Sequence, residues 1–339
     1  MKKSLVALAV LAASGAAMAQ SSVTLYGVAD VWVGSVKVDN GTTSTSTTSM
    51  ISGGVSTSRW GMKGAEDLGG GLKAIFQLEQ GVTLDSGAAS NFGRQAYVGF
   101  SGDFGAVKLG LISSPFDNVQ GASDAVFDSD LAPANNPGGG VFRTSNDYTG
   151  KVGNTIGYES PNMSGFAGQI SYSLPEDANG VPAGANAITS LALTYAGGPV
   201  AAQFAYQKED LNNTGNDKAY TRLGASYNFG VATAKVSYGS VNHTAATVDG
   251  KTTEWQLGAD FPVSATTTLS ASYASSTDNA ASAAAGVGEV KRSGFGVAAA
   301  YGLSKRTTVY GGFKKVSDDK GTGLDTKIDV FAVGVKHTF

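Results

Sequence analysis

The 339-residue chain offers little for covalent or metal chemistry. It has no cysteine, and its only histidines, His243 and His337, have no nucleophile arranged beside them. The glycine-rich stretch DLGGGLK (67–73) lacks the GxxxxGK[ST] spacing of a phosphate loop. No His/Cys/Asp cluster carries metal-ligand spacing, so neither an enzyme nor a cofactor or metal is expected. What remains is fixed charge. Arg59 and Lys63 alternate with Trp60 and Met62, which puts both cations on one face of a strand, and Asp30 has the same parity on the first strand. A long polar segment, 115–143, carries Asp117, Asp124, Asp128 and Asp130. Opposed fixed charges across a narrow aqueous gap order water and sort ions by sign. That chemistry needs a scaffold that holds the two groups apart.

The scaffold is legible as alternation. In TTEWQLGADF, Trp255, Leu257, Ala259 and Phe261 share a face opposite Glu254, Gln256, Gly258 and Asp260. Similar two-faced runs recur along the chain, and no segment after the N-terminus reads as an amphipathic helix. Seven short connections (67–71, 103–105, 161–165, 197–199, 228–230, 262–265, 303–306) alternate with eight long polar ones (39–51, 85–91, 115–143, 175–187, 209–217, 243–251, 277–289, 317–326). The count gives sixteen strands and an all-β, antiparallel transmembrane barrel, with tight turns at one end and long loops at the other. Phe104, Phe229 and Phe261 precede short turns and are expected in an aromatic girdle. The final DVFAVGVKHTF places Phe339 on the outward face of a strand that closes against SVTLYGVADVWVG.

The N-terminal MKKSLVALAVLAASGAAMAQ joins a charged start, a short apolar run and small residues at Ala17 and Ala19, the parts of an export signal cleaved between Ala19 and Gln20. The expected division is therefore a signal peptide over 1–19 and a barrel over 20–339. Mean hydropathy is −0.04, as expected where only alternate residues meet lipid. Without Lys2 and Lys3 the chain keeps 22 basic against 27 acidic residues, a net charge of about −5 that argues against a nucleic-acid partner.

The segments SVTLYGVAD, SRWGMKGAEDLGGGLKAIFQLE (58–79), GRQAYVGFSGDFGAVKLG (93–110), FRTSNDYTG (142–150) and VGVKHTF resemble the trimeric general porins of Gram-negative outer membranes, particularly the beta-proteobacterial branch. The resemblance implies a sixteen-stranded barrel with the third external loop folded inward. It also implies a homotrimer in outer-membrane lipid that passes inorganic ions and small hydrophilic solutes. A half-ring of wall arginines, matched here by Arg59, Arg94 and Arg143, would face loop carboxylates across the constriction. Asp124 and Asp128 match those carboxylates best, and Asp130 comes next. The Pro-Glu-Phe-Gly tetrad of enteric relatives is missing, so the partner of the arginines stays open among them. Lys63 and Asp30 would line the pore. Arg222, Lys235, Arg292 and Lys314 share the inward parity and would line an approach path. Wall arginines favour anions while the net charge and Asp30 favour cations, so the sequence sets no sign preference.

Two other classes compete with a passive channel. A barrel-borne hydrolase would need a histidine in a triad, and neither histidine is placed for one. An exported adhesin or sugar-binding β protein would suit the Ser/Thr-rich NGTTSTSTTSM, which reads equally as a solvated first loop. The strict alternation of short and long connections favours the channel.

Overall fold

The computed structural model describes residues 22–135, 140–175, 187–210, 217–244, 249–279, 289–321 and 325–339. The export signal with its Ala19–Gln20 junction, and most of the long connections 175–187, 209–217, 243–251 and 277–289, lie outside the described residues.

Sixteen strands form one antiparallel sheet closed on itself. β1 is Ser22–Asp39 and β2 comes in two lengths, Ser44–Ser52 and Arg59–Gly69. There follow β3 Leu72–Thr83, β4 Gln95–Gly102, β5 Gly105–Ser113, β6 Lys151–Glu159, β7 Phe166–Ser173 and β8 Ala187–Gly197. The second half holds β9 Val200–Asp210, β10 Asp217–Asn228, β11 Thr233–Thr244 and β12 Asp249–Pro262. It ends with β13 Thr267–Asp278, β14 Val290–Gly302, β15 Thr307–Asp319 and β16 Thr326–Thr338. β16 returns to β1 in a register running from Val28↔Thr338 to Asp39↔Lys327. Closure leaves no unpaired edge, the condition for strands to cross a bilayer.

The alternation sorts the faces as the sequence predicts. Leu223, Tyr238, Trp255, Leu257, Phe295, Val297, Phe331 and Val333 are exposed, whereas Arg222, Ser237, Glu254 and Gln256 are buried. Large exposed apolar residues around a polar interior invert the soluble pattern and match a wall that faces lipid. At the short-turn end Phe104, Phe229, Phe261 and Phe339 are all exposed, and Tyr227 stacks beside Phe229 with ring centroids 4.5 Å apart. Phe339 and Gly27 exchange two backbone hydrogen bonds of 3.1 Å. The Phe339 ring then lies flat over Gly27, where any Cβ would collide with it. The aromatic residue thus covers the seam where the barrel closes.

Two expectations for the connections change. Residues 39–51 are not a long loop: only 40–43 turn, and STSTTSMIS pairs with Val31–Asp39 as a strand. Thr and Ser populate strands readily when the partner strand supplies the packing, and polar residues on both faces hide the alternation. The connection after β5 is also longer than 115–143 and spans 114–150, with a short helix α1 (Pro115–Val119) capped by the Ser114 hydroxyl.

This segment packs against inward-facing side chains through three apolar clusters. Phe116 and Val119 sit with Ala192, Ala205, Tyr220 and Val241 of β8–β11. Val126, Leu131 and Ala132 sit with Trp32, Ala298, Tyr310, Val330 and Ala332 of β1 and β14–β16. Ala134, Val141 and Phe142 then meet Ala274 and Val316. Glycines make the approach possible: a Cβ at Gly224, Gly258 or Gly296, each on the inward face, would strike Ser123, Ala125 or Leu131 of the segment.

Candidate pore lining and its charge clusters

Along β8–β16 the interior wall is covered by segment 114–150. Asp124 is 1 % exposed and pairs with Arg222, itself fully buried. Its Oδ1 also accepts from Gln256 Nε2 at 3.1 Å and Ser237 Oγ at 3.3 Å, and Lys235 Nζ donates to its backbone carbonyl at 3.0 Å. Beside it Glu254 accepts the backbone N–H groups of Arg143 and Thr144 at 2.8 and 3.2 Å, and the Thr144 hydroxyl. Val126, Phe127 and Asp128 all have left-handed backbones, with φ of 58°, 62° and 49°. Such a run is strained for non-glycine residues and persists only when surrounding contacts over-determine it. Here Ser270 Oγ accepts from Val126 N–H at 2.7 Å, and Ser129 Oγ donates to Val126 O at 2.6 Å.

The opposite wall, β1–β6, carries a second cluster. Arg94 Nε donates to Glu79 Oε1 at 2.7 Å, Arg59 Nε lies 3.5 Å from Glu79 Oε2, and the Tyr26 hydroxyl donates to the same oxygen at 2.9 Å. Two cations share one carboxylate, so the group carries one net positive charge. The guanidinium side chains keep 27 % and 22 % exposure, in contrast to Arg222 at 0 %. Arg94 has outward parity if β4 is extended upstream. It reaches the interior because the chain bends at residues 92–94 before the strand begins at Gln95. Lys63 is exposed on the same wall, its ammonium 5.3 Å from the Tyr26 ring centroid.

The remaining expected residues lie elsewhere. Arg143 is on the 114–150 segment itself rather than on a wall strand, and its Nη2 donates to Asp278 at 3.2 Å. Its carboxylate partners are Asp278 and Asp147, whereas Arg59 and Arg94 share Glu79. Asp30 does not line a pore. Fully buried, it accepts the N–H groups of Gly54, Val55 and Ser56 at 3.2, 3.0 and 2.8 Å, and the Tyr310 hydroxyl at 2.5 Å. It thereby anchors the interruption that splits β2. Asp124, for its part, meets Arg222 instead of Arg59, Arg94 or Arg143.

Asp130 accepts from Trp32 Nε1 at 2.9 Å, and burial pushes its carboxyl up to about 7 against the lowering effect of that bond and of Lys314. Asp128 accepts from Asn135 Nδ2 at 2.7 Å and still reaches solvent. Enclosure by protein, with the charge of Asp124 nearby, raises its carboxyl also, and its water contact limits the rise. Arg222, Lys235, Arg292 and Lys314 are wall anchors rather than an approach path. Lys235 pairs with Asp260 at 2.7 Å, Arg292 with Asp278 at 2.8 Å, and Lys314 donates to Asn135 O at 2.7 Å. Glu79 is a further site residue, which its parity with Gln77 on β3 places inside.

The chain matches the Gram-negative porin family model over residues 4–321. It is 37 % identical to outer membrane porin protein 32 of Delftia acidovorans, over 99 % of this chain and 95 % of that protein. Among solved structures it is similar to an anion-selective porin from Comamonas acidovorans, at 27 % identity and a TM-score of 0.74, over 94 % of this chain and all of the other. A trimer form of OmpT from Vibrio cholerae shares the fold, with a TM-score of 0.72 at 15 % identity over 94 % of this chain and 99 % of that one. With such coverage at both the sequence and the fold level, the chain belongs to the Gram-negative porins, multi-pass barrels of the outer membrane that form water-filled channels for passive diffusion of ions and small hydrophilic solutes.

Proposed function

We propose that the channel prefers small anions and that the preference is set between the Arg59–Glu79–Arg94 cluster and segment 114–150. The carrying observation is the two-to-one ratio of guanidinium to carboxylate on the open wall. On the facing segment Asp124 is consumed by Arg222, and burial raises the Asp130 carboxyl to about 7, so it carries only part of a negative charge at neutral pH. Of the three loop carboxylates Asp124 is sealed from solvent, Asp130 is half-buried and Asp128 is exposed. Segment 114–150 narrows the lumen by covering β8–β16, so a passing ion meets the arginines at short range, where screening is weaker than the ~8 Å Debye length of bulk physiological salt suggests. The name of the Comamonas structure, an anion-selective porin, agrees with this reading. Arg143 acts at one remove, by holding the segment to Asp278.

The same reading includes export with cleavage between Ala19 and Gln20, and assembly as a homotrimer through the early strands, where a closed three-fold contact would bury part of their apolar outer face. In a planar bilayer under a potassium chloride gradient, the purified protein is expected to show a reversal potential on the chloride side of zero. A potential on the potassium side contradicts the reading. A band near three times the barrel mass that collapses on boiling tests the trimer.

A further inference from the structure

Below the arginine cluster, toward the short-turn end, the open wall contains a niche of about 70 Å³ lined by Gln77, Gln95, Tyr97, Lys108, Asn118 and Glu159. That volume holds a few waters or one small functional group. The niche and the cluster are continuous. Glu79 pairs in register with Gln95. From Glu79 the hydrogen bonds run through Tyr26, to which Gln77 Nε2 donates at 2.7 Å, and on to Tyr97, whose hydroxyl donates to Gln77 Oε1 at 3.1 Å. Lys108 is neutralised by Glu159 Oε1, so the niche has no net charge of its own.

Each amide nitrogen makes one hydrogen bond, whereas several acceptor oxygens make none. Gln95 Nε2 donates to Ser113 Oγ at 2.7 Å, and Asn118 Nδ2 donates to Gln169 Oε1 at 2.8 Å. Among the described residues no hydrogen bond engages Gln95 Oε1, Asn118 Oδ1 or Glu159 Oε2. Three acceptor oxygens, one of them on a carboxylate, match the three N–H donors of a primary ammonium. Hydrogen bonds from an ionised donor are about twice as strong as neutral ones. The wall above, with one net positive charge and two guanidinium forks, matches a carboxylate.

We infer that the niche is a subsite for the ammonium end of small zwitterionic solutes, amino acids in chemical class, whose carboxylate lies at Arg59 and Arg94. The inference rests on the arginine cluster being the selective region and adds a solute class to it. Single-channel recording at low salt and neutral pH, with 4-aminobutanoate and butanoate as probes, separates the two claims. The aminated probe is expected to interrupt the current at concentrations roughly ten-fold lower than butanoate, the value of one charge-assisted hydrogen bond. Gln95→Met should remove most of that difference while leaving the reversal potential unchanged, and Glu159→Gln should weaken it too. Equal interruption by both probes in the wild-type channel, with anion preference intact, overturns the niche alone. An unmoved reversal potential in Arg59→Ser overturns the reading beneath it, and the carboxylate half of the inference with it.

Discussion

Two arginine–carboxylate groups sit on opposite inner walls of the same barrel. Arg222 and Asp124 form a one-to-one pair, both sealed from solvent and bridged by Ser237, with Gln256 also donating to Asp124. Arg59 and Arg94 share Glu79 two-to-one, and both keep about a quarter of their side-chain surface open. A neutral, buried pair can hold a segment in place but projects little field into the lumen. A half-open group with excess charge anchors little and acts on whatever passes. Guanidinium–carboxylate pairing thus serves both as fastener and as filter, separated by stoichiometry and burial.

The fastener should show the largest response. Replacing Arg222 by Gln leaves Asp124 buried without its cation, a change that typically costs about 3–5 kcal/mol. The effect is expected as a lower temperature of conversion in heat-modifiability gels and as noisier open-channel current from a loosened 114–150 segment. Quiet current and an unchanged conversion temperature would move Arg222 out of the fastener class.

Next in size is the closing seam, which belongs to neither cluster and so tests the shell on its own. Gly27→Leu forces a side chain into the space of the Phe339 ring. The yield of folded barrel is expected to fall several-fold, about what an overpacked site costing 1–3 kcal/mol produces. Combining it with Phe339→Gly should restore part of the yield, and absence of any rescue would show that the ring contact is not the cause.

A smaller effect should come from pH. Asp130 has its folded pKa raised to about 7, so it is ionised at pH 8 and mostly protonated at pH 6. Acidification therefore removes negative charge from the segment and should strengthen anion preference modestly across that window. The sign for stability runs the same way. A carboxyl with a raised folded pKa carries no penalty below its unfolded value near 4, and the penalty grows as pH rises toward 7. Asp130→Asn should flatten the pH response of the reversal potential. A response that persists in this variant would assign the titration to another group, Asp128 first.

How far the sequence led differs between shell and filling. The barrel was legible because each strand announces itself locally: Trp255, Leu257 and Phe261 alternate with polar residues whatever lies next door. The first length of β2 was not, since STSTTSMIS is polar on both faces and becomes a strand only by pairing with β1. Arg59 followed from parity, whereas Arg94 depends on a bend that alternation does not encode. The pairing of Asp124 with Arg222 spans 98 residues and depends on the path of segment 114–150. A partial trace of that path was present in the inward-facing glycines 224, 258 and 296, which mark where backbone must come close.

The division of labour between the two clusters is tested most directly by reversal potentials measured under one salt gradient, at low and at high ionic strength. The proteins compared are wild type, the double variant Arg59→Ser with Arg94→Ser, and the double variant Arg222→Gln with Asp124→Asn, which keeps the buried site neutral. The account predicts that the first double variant moves strongly toward cations, more so at low salt, and that the second stays close to wild type. A shift in the second as large as in the first would contradict it and place selectivity in the wall-bound pair.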